Sequence, residues 1–384
     1  RIPILREAQA RRIPVLNDTQ LFLEAVKAPV IGITGSSGKT TTTTLTGRIA
    51  KNACDTRRNV WTGGNIGNPL LTIAGKVRPE DVVILELSSF QLELTTVSPQ
   101  IAAVLNITPN HLDRHGTMEA YTAAKKRILQ FQDSAATAIL NRDDAGSWAL
   151  RQEVHGKLIS FGFEKPADLS DRQETALIYL EDGVIRRFAG HQTEDLLRAE
   201  TIRLRGNHNL SNVMAACAIA TAAGFPPEAM QKGVENFTGV SHRLEWVRTY
   251  KGADWYNDSI ATSPERTLAA IHSFSEPLVL LLGGRDKHLP WEQLAAAARE
   301  RAHAIVLFGE AAPLIETAFR KEIEPGAPLV IKRCEKLEEA VHAAAALTSP
   351  GDVVLLSPGG TSYDAFKDFE ERGKAFTEWV LRLK

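Results

Sequence analysis

The segment Pro29–Thr41 constrains the fold of this chain more than any other part of its sequence. It opens with the apolar run Pro-Val-Ile-Gly-Ile-Thr, continues through Gly-Ser-Ser-Gly, and then enters a threonine-rich stretch that starts at Lys39. An apolar run without polar alternation is typical of a strand that is covered on both faces. The segment therefore predicts a buried parallel strand, a tight loop, and a helix that starts at the loop.

A loop of this kind is suited to phosphate. Glycines allow backbone N–H groups to point at one anion, and the helix N-terminus adds partial positive charge. The residues predicted to bind ATP here are Gly35, Ser36, Ser37, Gly38, Lys39, Thr40 and Thr41. Lys39 would reach the β- and γ-phosphates, and the Thr40 hydroxyl would be a ligand of Mg²⁺. The standard motif has Gly where this chain has Ile33, so the alternative is a plain Gly/Ser turn that ends in Lys-Thr.

The rest of the chain alternates strands with helical stretches, which predicts an α/β fold with parallel sheets. The buried strands of the first block are predicted at 29–34, 81–87, 101–107 and 137–141. Residues 155–205 are more charged and more alternating, so they predict antiparallel ribbons appended to this sheet. A second α/β block starts near residue 245, after a hinge at 237–242. Its strands are predicted at 278–282, 304–308, 329–332 and 353–356.

Composition and charge exclude several classes of protein. The 384 residues predict two or three domains, and a net charge of −1 from dispersed residues gives no reason to expect nucleic acid as a partner. The three cysteines are far apart, which argues against a disulfide framework and suits the cytoplasm. The longest apolar runs are too short to cross a bilayer, so we expect no membrane insertion.

Glu86 and His111 are candidate metal ligands. Glu86 ends a predicted strand in Leu-Glu-Leu-Ser-Ser-Phe-Gln, and a carboxylate in such a place is costly to bury unless it meets a cation. His111 follows the next strand along, at the edge where open α/β sheets bind ligands. His111 and His115 have helical i, i+4 spacing, but the glutamate of a zinc protease motif is not between them. A water-facing carboxylate and a surface histidine are the alternatives.

Lys125 lies on the apolar face of a predicted helix. Thr117 caps that helix, which continues to Gln132, and Tyr121 and Ile128 are among the apolar residues that share the face with Lys125. Burial lowers the pKa of a lysine and makes the neutral amine available for chemistry. From the residues alone, a side chain that extends past its neighbours to solvent is equally open.

Taken together, the motifs resemble those of the ATP-dependent Mur ligase family of peptidoglycan synthesis. The resemblance covers residues 29 to 384 in the family's order, and it is carried by TGSSGKTTT, GGNIGNP, ELSSFQLE, NITPNHLDRH, YTAAKKRI, GNHNLSN, SHRLE, NDS-ATSP, GGRDK and LLSPGGTSYDAFKDFEERG. ELSSFQLE and the C-terminal motif favour the member that joins D-glutamate to UDP-N-acetylmuramoyl-L-alanine. We expect the protein to be a monomer.

The resemblance implies three parts of the chain. Residues 1–28 would be the remnant of an N-terminal UDP-binding domain. Residues 29–240 would form a central P-loop ATPase domain with a parallel sheet, and residues 241–384 a C-terminal Rossmann-like α/β domain that binds the amino acid. A chain with so little of the first domain is expected to bind ATP but to hold the UDP-sugar weakly.

The resemblance also implies roles for single residues. For ATP it adds Asn209 and Asn212 at the adenine, Arg243 at the phosphates and Asp258 at the ribose. It implies two Mg²⁺ ions, held by Thr40, Glu86, His111 and Lys125, the last of these as a carbamate formed with CO₂. The residues implied to act in catalysis are Lys39, Lys125, His111 and Arg243. The substrate-binding residues are implied to be Asn65 for the muramoyl substrate and Thr262, Lys287, Ser362, Tyr363 and Phe369 for the amino acid.

One position departs from the family, and other functions stay open. Many relatives have Lys where this chain has Ile260, so one polar contact near the site is missing. The alternatives are another ligase of the superfamily, such as a folylpolyglutamate synthetase, and a P-loop ATP-binding module without ligase activity. A Rossmann dehydrogenase is disfavoured because GxGxxG follows none of the predicted strands.

Overall fold

The computed structural model describes residues 3–65, 70–110, 112–166, 174–204, 206–322 and 329–384. It divides into two compact units, Arg1–Phe237 and Thr238–Lys384. The division falls within the segment that the sequence predicts as the hinge, a few residues before 240.

Unit 1 is built on a nine-stranded sheet. Its strands are β1 (Val30–Thr34), β2 (Val60–Gly64), β3 (Val82–Glu86), β4 (Ile101–Val104), β5 (Thr137–Asn141), β6 (Lys157–Phe161), β7 (Glu174–Glu181), β8 (Val184–Ala189) and β9 (Gln192–Arg198). They lie in the order β2-β3-β1-β4-β5-β6-β7-β8-β9. The pairs from β2 through β7 are parallel, and those of β7 with β8 and β8 with β9 are antiparallel.

Helices cover this sheet. They are α1 (Pro3–Ala10), α2 (Asp18–Ala25), α3 (Lys39–Ala53), α4 (Leu71–Ala74), α5 (Ser89–Leu92), α6 (Leu112–His115), α7 (Met118–Gln130), α8 (Ala145–Ala149), α9 (Asn207–Ala222) and α10 (Pro227–Val234), with 3₁₀ turns at Leu150–Glu153 and Ala199–Thr201. Phe22 of α2 is fully buried in the core of unit 1. Part of the segment 1–28 therefore packs on the central sheet.

The strand order places the phosphate loop at a change of direction in the sheet. From β1 the chain goes outward to β2, returns through β3, and then crosses to β4 on the other side of β1. In open α/β sheets, ligands bind where the connections from neighbouring strands diverge in this way. The loop after β1 and the segment after β4 meet at that point.

The sequence prediction of an antiparallel ribbon is right for part of its range. β7, β8 and β9 form an antiparallel meander, as expected. β6 does not belong to it, because it pairs in parallel with both β5 and β7. All but the first residue of β6 are buried, so this strand continues the covered parallel sheet.

Unit 2 has a six-stranded sheet. Its strands are β10 (Glu245–Tyr250), β11 (Ala253–Asn257), β12 (Leu278–Gly283), β13 (Ala302–Phe308), β14 (Val330–Arg333) and β15 (Val353–Gly359), in the order β10-β11-β15-β12-β13-β14. Its helices are α11 (Pro264–Ile271), α12 (Glu292–Arg301), α13 (Ala312–Glu322), α14 (Leu337–Leu347) and α15 (Phe369–Arg382). Apolar clusters fill both faces of the sheet, so the predicted α/β fold with parallel sheets is confirmed.

Among the six named strands in the described part of unit 2, only the first pair is antiparallel. β10 and β11 form a hairpin whose turn residues, Lys251 and Gly252, both have positive φ, at 51° and 78°. Two successive residues with positive φ form the type of two-residue turn whose twist matches that of the flanking strands. β11 then pairs in parallel with β15, which brings the residues after both strands to the same edge of the sheet.

Candidate nucleotide and amino-acid sites

The phosphate loop has the geometry that the sequence predicts. β1 ends at Thr34, the loop runs from Gly35 to Gly38, and α3 begins at Lys39. Gly38 has a φ of 79°, in the left-handed region, and a Cβ there would lie 2.2 Å from Asn212 Oδ1. This position therefore needs glycine, both for its backbone conformation and for the space that Asn212 occupies.

The segment after β4 fixes the loop from the side. The N–H of Ser36 donates to the carbonyl of Asn106 at 3.0 Å, and the N–H of Ser37 donates to its Oδ1 at 2.8 Å. Ser36 Oγ accepts from the N–H of Thr108 at 3.0 Å. Sequence analysis missed Asn106 as a residue of the site. A polar residue directly after a parallel strand next to β1 is the signal that could have found it.

Two lysines meet at one carbonyl oxygen of the loop. Lys39 Nζ donates to Gly35 O at 2.9 Å, and Lys125 Nζ donates to the same oxygen at 2.8 Å. Lys125 also lies 3.4 Å from Thr34 Oγ1 and 4.7 Å from the centroid of the Tyr121 ring. The helix that carries Lys125 thus reaches the loop from the β4 side.

Lys125 is buried rather than extended to solvent. Its relative exposure is 1%, and α7 begins after the predicted cap Thr117. Burial, and after it the positive charge of Lys39, lower the pKa of Lys125 from 10.5 to about 7, and Glu86 opposes the shift. A pKa near 7 makes the neutral amine available at neutral pH. A neutral amine can act as a nucleophile, whereas a protonated lysine at the surface cannot.

Glu86, Thr40 and Asn65 form a polar cluster at the end of β3. Thr40 donates its hydroxyl proton to Glu86 Oε2 at 2.8 Å, and Asn65 Nδ2 donates to Oε1 at 3.0 Å. Glu86 is 2% exposed, and both of these donors are neutral. A buried carboxylate beside a hydroxyl fits a hard divalent cation such as Mg²⁺, which prefers oxygen ligands.

The predicted metal site is seen only in part. His111 lies outside the described residues. Within the part of the chain that the structure covers, no three His, Cys, Asp or Glu side chains come together in a metal-binding group. Thr40 and Glu86 are in contact, and the charge of Glu86 acts on the pKa of Lys125.

The predicted adenine-binding asparagines lie on α9. Asn212 Nδ2 donates to Asn209 Oδ1 at 3.2 Å, and Asn212 is 7% exposed. Because Asn212 packs against Gly38, this end of α9 abuts the phosphate loop. The two asparagines that the resemblance implies for the adenine thus lie beside the phosphate loop.

In unit 2, Asp258 is buried and Arg243 is exposed. Asp258 accepts from the Ser357 hydroxyl at 2.8 Å and from the N–H of Leu244 at 3.2 Å, and it is 4% exposed. Burial raises the pKa of Asp258 to about 7, although its two hydrogen bonds, Arg243 and Arg266 act in the opposite direction. Arg243 therefore lies close enough to Asp258 to influence its charge.

The predicted amino-acid residues lie around the edge formed after β11, β12 and β15. Lys287 Nζ donates to Thr262 Oγ1 at 3.3 Å. Ser362 is 2% exposed and follows Thr361, which pairs with Arg285 two residues before Lys287. Tyr363 is 64% exposed, so its side chain faces water.

Phe369 begins α15, and a buried arginine on that helix holds two of the loops. The Phe369 ring contacts His242 edge-on at 6.2 Å between centroids. Arg372 has no exposed surface and donates to Ser259 O at 2.9 Å, to Ser259 Oγ at 3.0 Å and to Gly360 O at 3.1 Å. Sequence analysis did not identify Arg372, because an arginine in an amphipathic helix resembles a surface residue.

None of the helices in the described ranges is long and apolar enough to cross a membrane.

Comparison with protein families gives two matches that together cover most of the chain. Residues 33–220 match the Mur ligase middle domain, and residues 242–360 match the family described as Mur ligase, glutamate ligase domain. The first matched segment lies within unit 1 and the second lies within unit 2.

Among curated proteins, similar relatives carry one name. The UDP-N-acetylmuramoylalanine--D-glutamate ligase of Symbiobacterium thermophilum is 44% identical over 382 residues, covering 100% of this chain and 82% of the relative. The protein of the same name from Acetivibrio thermocellus is 40% identical, covering 100% of this chain and 80% of the relative.

Solved structures show the same fold at low identity. A crystal structure of MurF from Acinetobacter baumannii has a TM-score of 0.62 at 21% identity, covering 94% of this chain and 79% of that one. MurF ligase from Thermotoga maritima in complex with ADP has a TM-score of 0.57 at 21% identity, covering 94% of this chain and 81% of that one.

Proposed function

The chain belongs to the Mur ligase family, and we propose that it joins D-glutamate to UDP-N-acetylmuramoyl-L-alanine at the expense of ATP, a step in peptidoglycan precursor synthesis. The observation that carries this function is the convergence of Lys39, Lys125 and the Thr40–Glu86 pair on one glycine loop at a helix N-terminus. The names of the similar relatives supply the two substrates.

The carboxylate of the muramoyl-alanine substrate is a poor electrophile, so ATP first converts it into an acyl phosphate. A carboxylate oxygen of the muramoyl-alanine substrate attacks the γ-phosphorus of ATP, the bond to the β-phosphate oxygen breaks, and ADP leaves. The amine of D-glutamate then attacks the carbonyl carbon of the acyl phosphate. The amide bond forms, the amine loses a proton, and inorganic phosphate carries away the carboxylate oxygen.

The groups of unit 1 stabilise the phosphoryl group during the first step. The N-terminus of α3 would bind phosphate oxygens, while the N–H groups of Ser36 and Ser37 donate to Asn106 and hold the loop in place. Lys39 is positioned to exchange Gly35 O for the γ-phosphate, while Lys125 keeps its hydrogen bond to that carbonyl. The loop then retains a donor on Gly35 O throughout.

Mg²⁺ supplies charge neutralisation at the transferring phosphoryl group when it is bound. We propose two ions. Thr40 and Glu86 would hold them together with His111 and a carbamate on Lys125. The neutral amine of Lys125 can form that carbamate by bonding to the carbon of CO₂ with loss of a proton, and its pKa near 7 supports this role.

The remaining assignments are proposals on the same basis. Asn209 and Asn212 bind the adenine, Asp258 the ribose and Arg243 the phosphates. Asn65 contacts the muramoyl substrate, and Thr262, Lys287, Ser362, Tyr363 and Phe369 hold D-glutamate. The contact between Lys287 and Thr262 supports a shared site for a carboxylate. Water-facing Tyr363 has the least structural support.

We also propose that the enzyme acts as a monomer in the cytoplasm. The nucleotide-binding and amino-acid-binding residues assigned above all come from one chain. Cys54, Cys217 and Cys334 are free, which suits a reducing compartment.

Isotope tracing and substrate choice test the function. With ¹⁸O in the carboxyl group of UDP-N-acetylmuramoyl-L-alanine, we expect label in the released phosphate, since one carboxylate oxygen leaves with it. We expect phosphate release to be stimulated by D-glutamate and not by L-glutamate. Unlabelled phosphate would contradict the acyl phosphate, and stimulation by L-glutamate with a folate would assign the chain to another ligase of the superfamily.

A further inference from the structure

One histidine ring joins three elements beside the phosphate site. His115, at the end of α6, lies parallel to the ring of Phe90 in α5, with centroids 5.1 Å apart and an angle of 2°. It also contacts Tyr121 of α7, with centroids 5.3 Å apart at 58°. Its Nε2 lies 3.0 Å from Ser89 Oγ. His115 therefore links α5, α6 and α7 through stacking and one hydrogen bond.

Two of the three partners of His115, Ser89 and Tyr121, adjoin residues of the site. Ser89 is 2% exposed and follows Glu86 by three residues. Tyr121 is 1% exposed, its hydroxyl lies 3.0 Å from Ser36 Oγ in the phosphate loop, and its ring faces Lys125 Nζ. A shift of the His115 ring would thus move Ser89, near the end of β3, and Tyr121, which contacts Lys125.

Histidine meets two requirements at this position. Stacking on Phe90 and Tyr121 needs a flat ring, and the hydrogen bond to Ser89 needs a polar atom at its edge. Phenylalanine would satisfy only the first requirement and glutamine only the second. The two substitutions therefore separate the contributions.

We propose that His115 is a positioning residue of the phosphate-transfer site, which fixes the segment after Glu86 through Ser89 and the side chain of Lys125 through Tyr121. The kinetic part of this inference rests on the function proposed above. His115 does not itself touch substrate. Its effect is on ATP binding and on kcat and not on the KM for D-glutamate, because Lys125 and Glu86 act on the phosphoryl group and D-glutamate is assigned to residues of unit 2.

The first test compares His115→Phe and His115→Gln with the wild type. We expect each to lower kcat about three- to tenfold, the size of one lost neutral hydrogen bond or ring contact, with KM for D-glutamate changed less than about twofold. The matched controls are His155→Phe and His155→Gln, at an exposed histidine of unit 1, which should keep the wild-type kcat. Wild-type kcat in both His115 variants would overturn the proposal.

A double-mutant cycle tests the link to Ser89. Ser89→Ala removes the hydrogen bond from the other side with little loss of packing, so it serves even if the His115 variants do not fold. We expect its kcat to fall about as far as that of His115→Phe, and the double variant to be no slower than the slower single one. A Ser89→Ala variant with wild-type kcat, or fully additive effects in the cycle, would overturn the hydrogen-bonded link.

A binding measurement separates this inference from the proposed function. If the wild type shows no phosphate release with D-glutamate, the function fails, and the role of His115 is then judged by calorimetry with ATP and Mg²⁺. We expect ATP to bind the His115 variants at least threefold more weakly than the His155 controls. Equal affinities would overturn the inference. Thermal midpoints of all variants show whether a loss reflects unfolding instead of misplacement.

Discussion

Lys39 and Lys125 donate to the same oxygen, the carbonyl of Gly35, at 2.9 and 2.8 Å. Two ammonium groups that share an acceptor repel each other, and this repulsion adds to the burial that lowers the pKa of Lys125. Lys125 therefore loses its proton more easily than a lysine that is exposed to water.

The lowered pKa of Lys125 gives a pH dependence of stability with a defined sign. The pKa is about 7 in the folded protein and 10.5 in the unfolded chain, so between these values the unfolded state binds more protons. The contribution of Lys125 to stability therefore rises with pH from about 7 to 10.5. Relative to Lys125→Met, the wild type should be least stable at pH 7 and below.

Urea unfolding of both proteins from pH 6.5 to 9.5 measures this difference. We expect the midpoint of Lys125→Met minus that of the wild type to shrink steadily as the pH rises. A difference that stays constant over this range would contradict the assignment of a buried, easily deprotonated amine.

Asp258 gives a pH dependence of the opposite slope. Its pKa is about 7 when folded and 3.8 when unfolded, so the folded state binds more protons between these values. The contribution of Asp258 to stability therefore falls as the pH rises from 3.8 to 7. Asp258→Asn removes this dependence and can keep hydrogen bonds to Ser357 and Leu244.

Thermal midpoints from pH 4.5 to 7.5 check this prediction. As the pH rises, the stability of Asp258→Asn should increase relative to that of the wild type, because asparagine has no charge to bury. If instead the wild type gains on the variant, the sign is wrong and Asp258 is stabilised as a carboxylate.

Gly38 should tolerate no side chain. Gly38→Ala places a Cβ 2.2 Å from Asn212 Oδ1 at a φ of 79°, and we expect ATP affinity to fall about tenfold or more from this strain. The control is Gly75→Ala, where the φ is −71° and a Cβ meets nothing within 4 Å. Calorimetry with ATP compares the two, and equal losses would contradict the steric argument.

Arg372 should matter for both stability and substrate binding. Arg372→Met keeps most of the buried volume but removes the donors to Ser259 and Gly360, which costs about 2–4 kcal/mol of unfolding free energy. We expect KM for D-glutamate to rise, because both loops border the proposed site.

The control for Arg372 lies on the same helix. Arg382 is exposed and pairs with Glu378 at 3.6 Å, so Arg382→Met should change stability by less than about 0.5 kcal/mol. Urea unfolding and D-glutamate titration of both variants decide the matter. A destabilised Arg372→Met with an unchanged KM would restrict Arg372 to a structural role.

Local patterns in the sequence predicted much of the fold. The loop at Gly35–Gly38, the helix after Thr117 and the strand Leu278–Gly283 each follow from one continuous stretch of residues. β2 was not predicted, because Val-Trp-Thr-Gly-Gly is short and ends in glycines. It is a strand because its backbone pairs with β3, from Val60 with Val82 to Gly64 with Glu86.

Contacts between distant segments were beyond the reach of such patterns. The helix that carries Lys125 was predicted to continue to Gln132, yet α7 ends at Gln130 and leaves Phe131 38% exposed. No contact was predicted for His115, whose ring stacks on Phe90. The role of Arg372 depends on carbonyl groups more than ten residues away in sequence, which no periodicity reveals.

The packing of Asn212 against Gly38 fixes the distance between α9 and the phosphate loop in unit 1. With the proposed roles, α9 recognises the base and the adjoining loop recognises the phosphates, so both of these ends of the ligand are bound by elements of unit 1. Inorganic triphosphate would reach only the phosphate loop, whereas a nucleoside triphosphate would reach both the loop and α9.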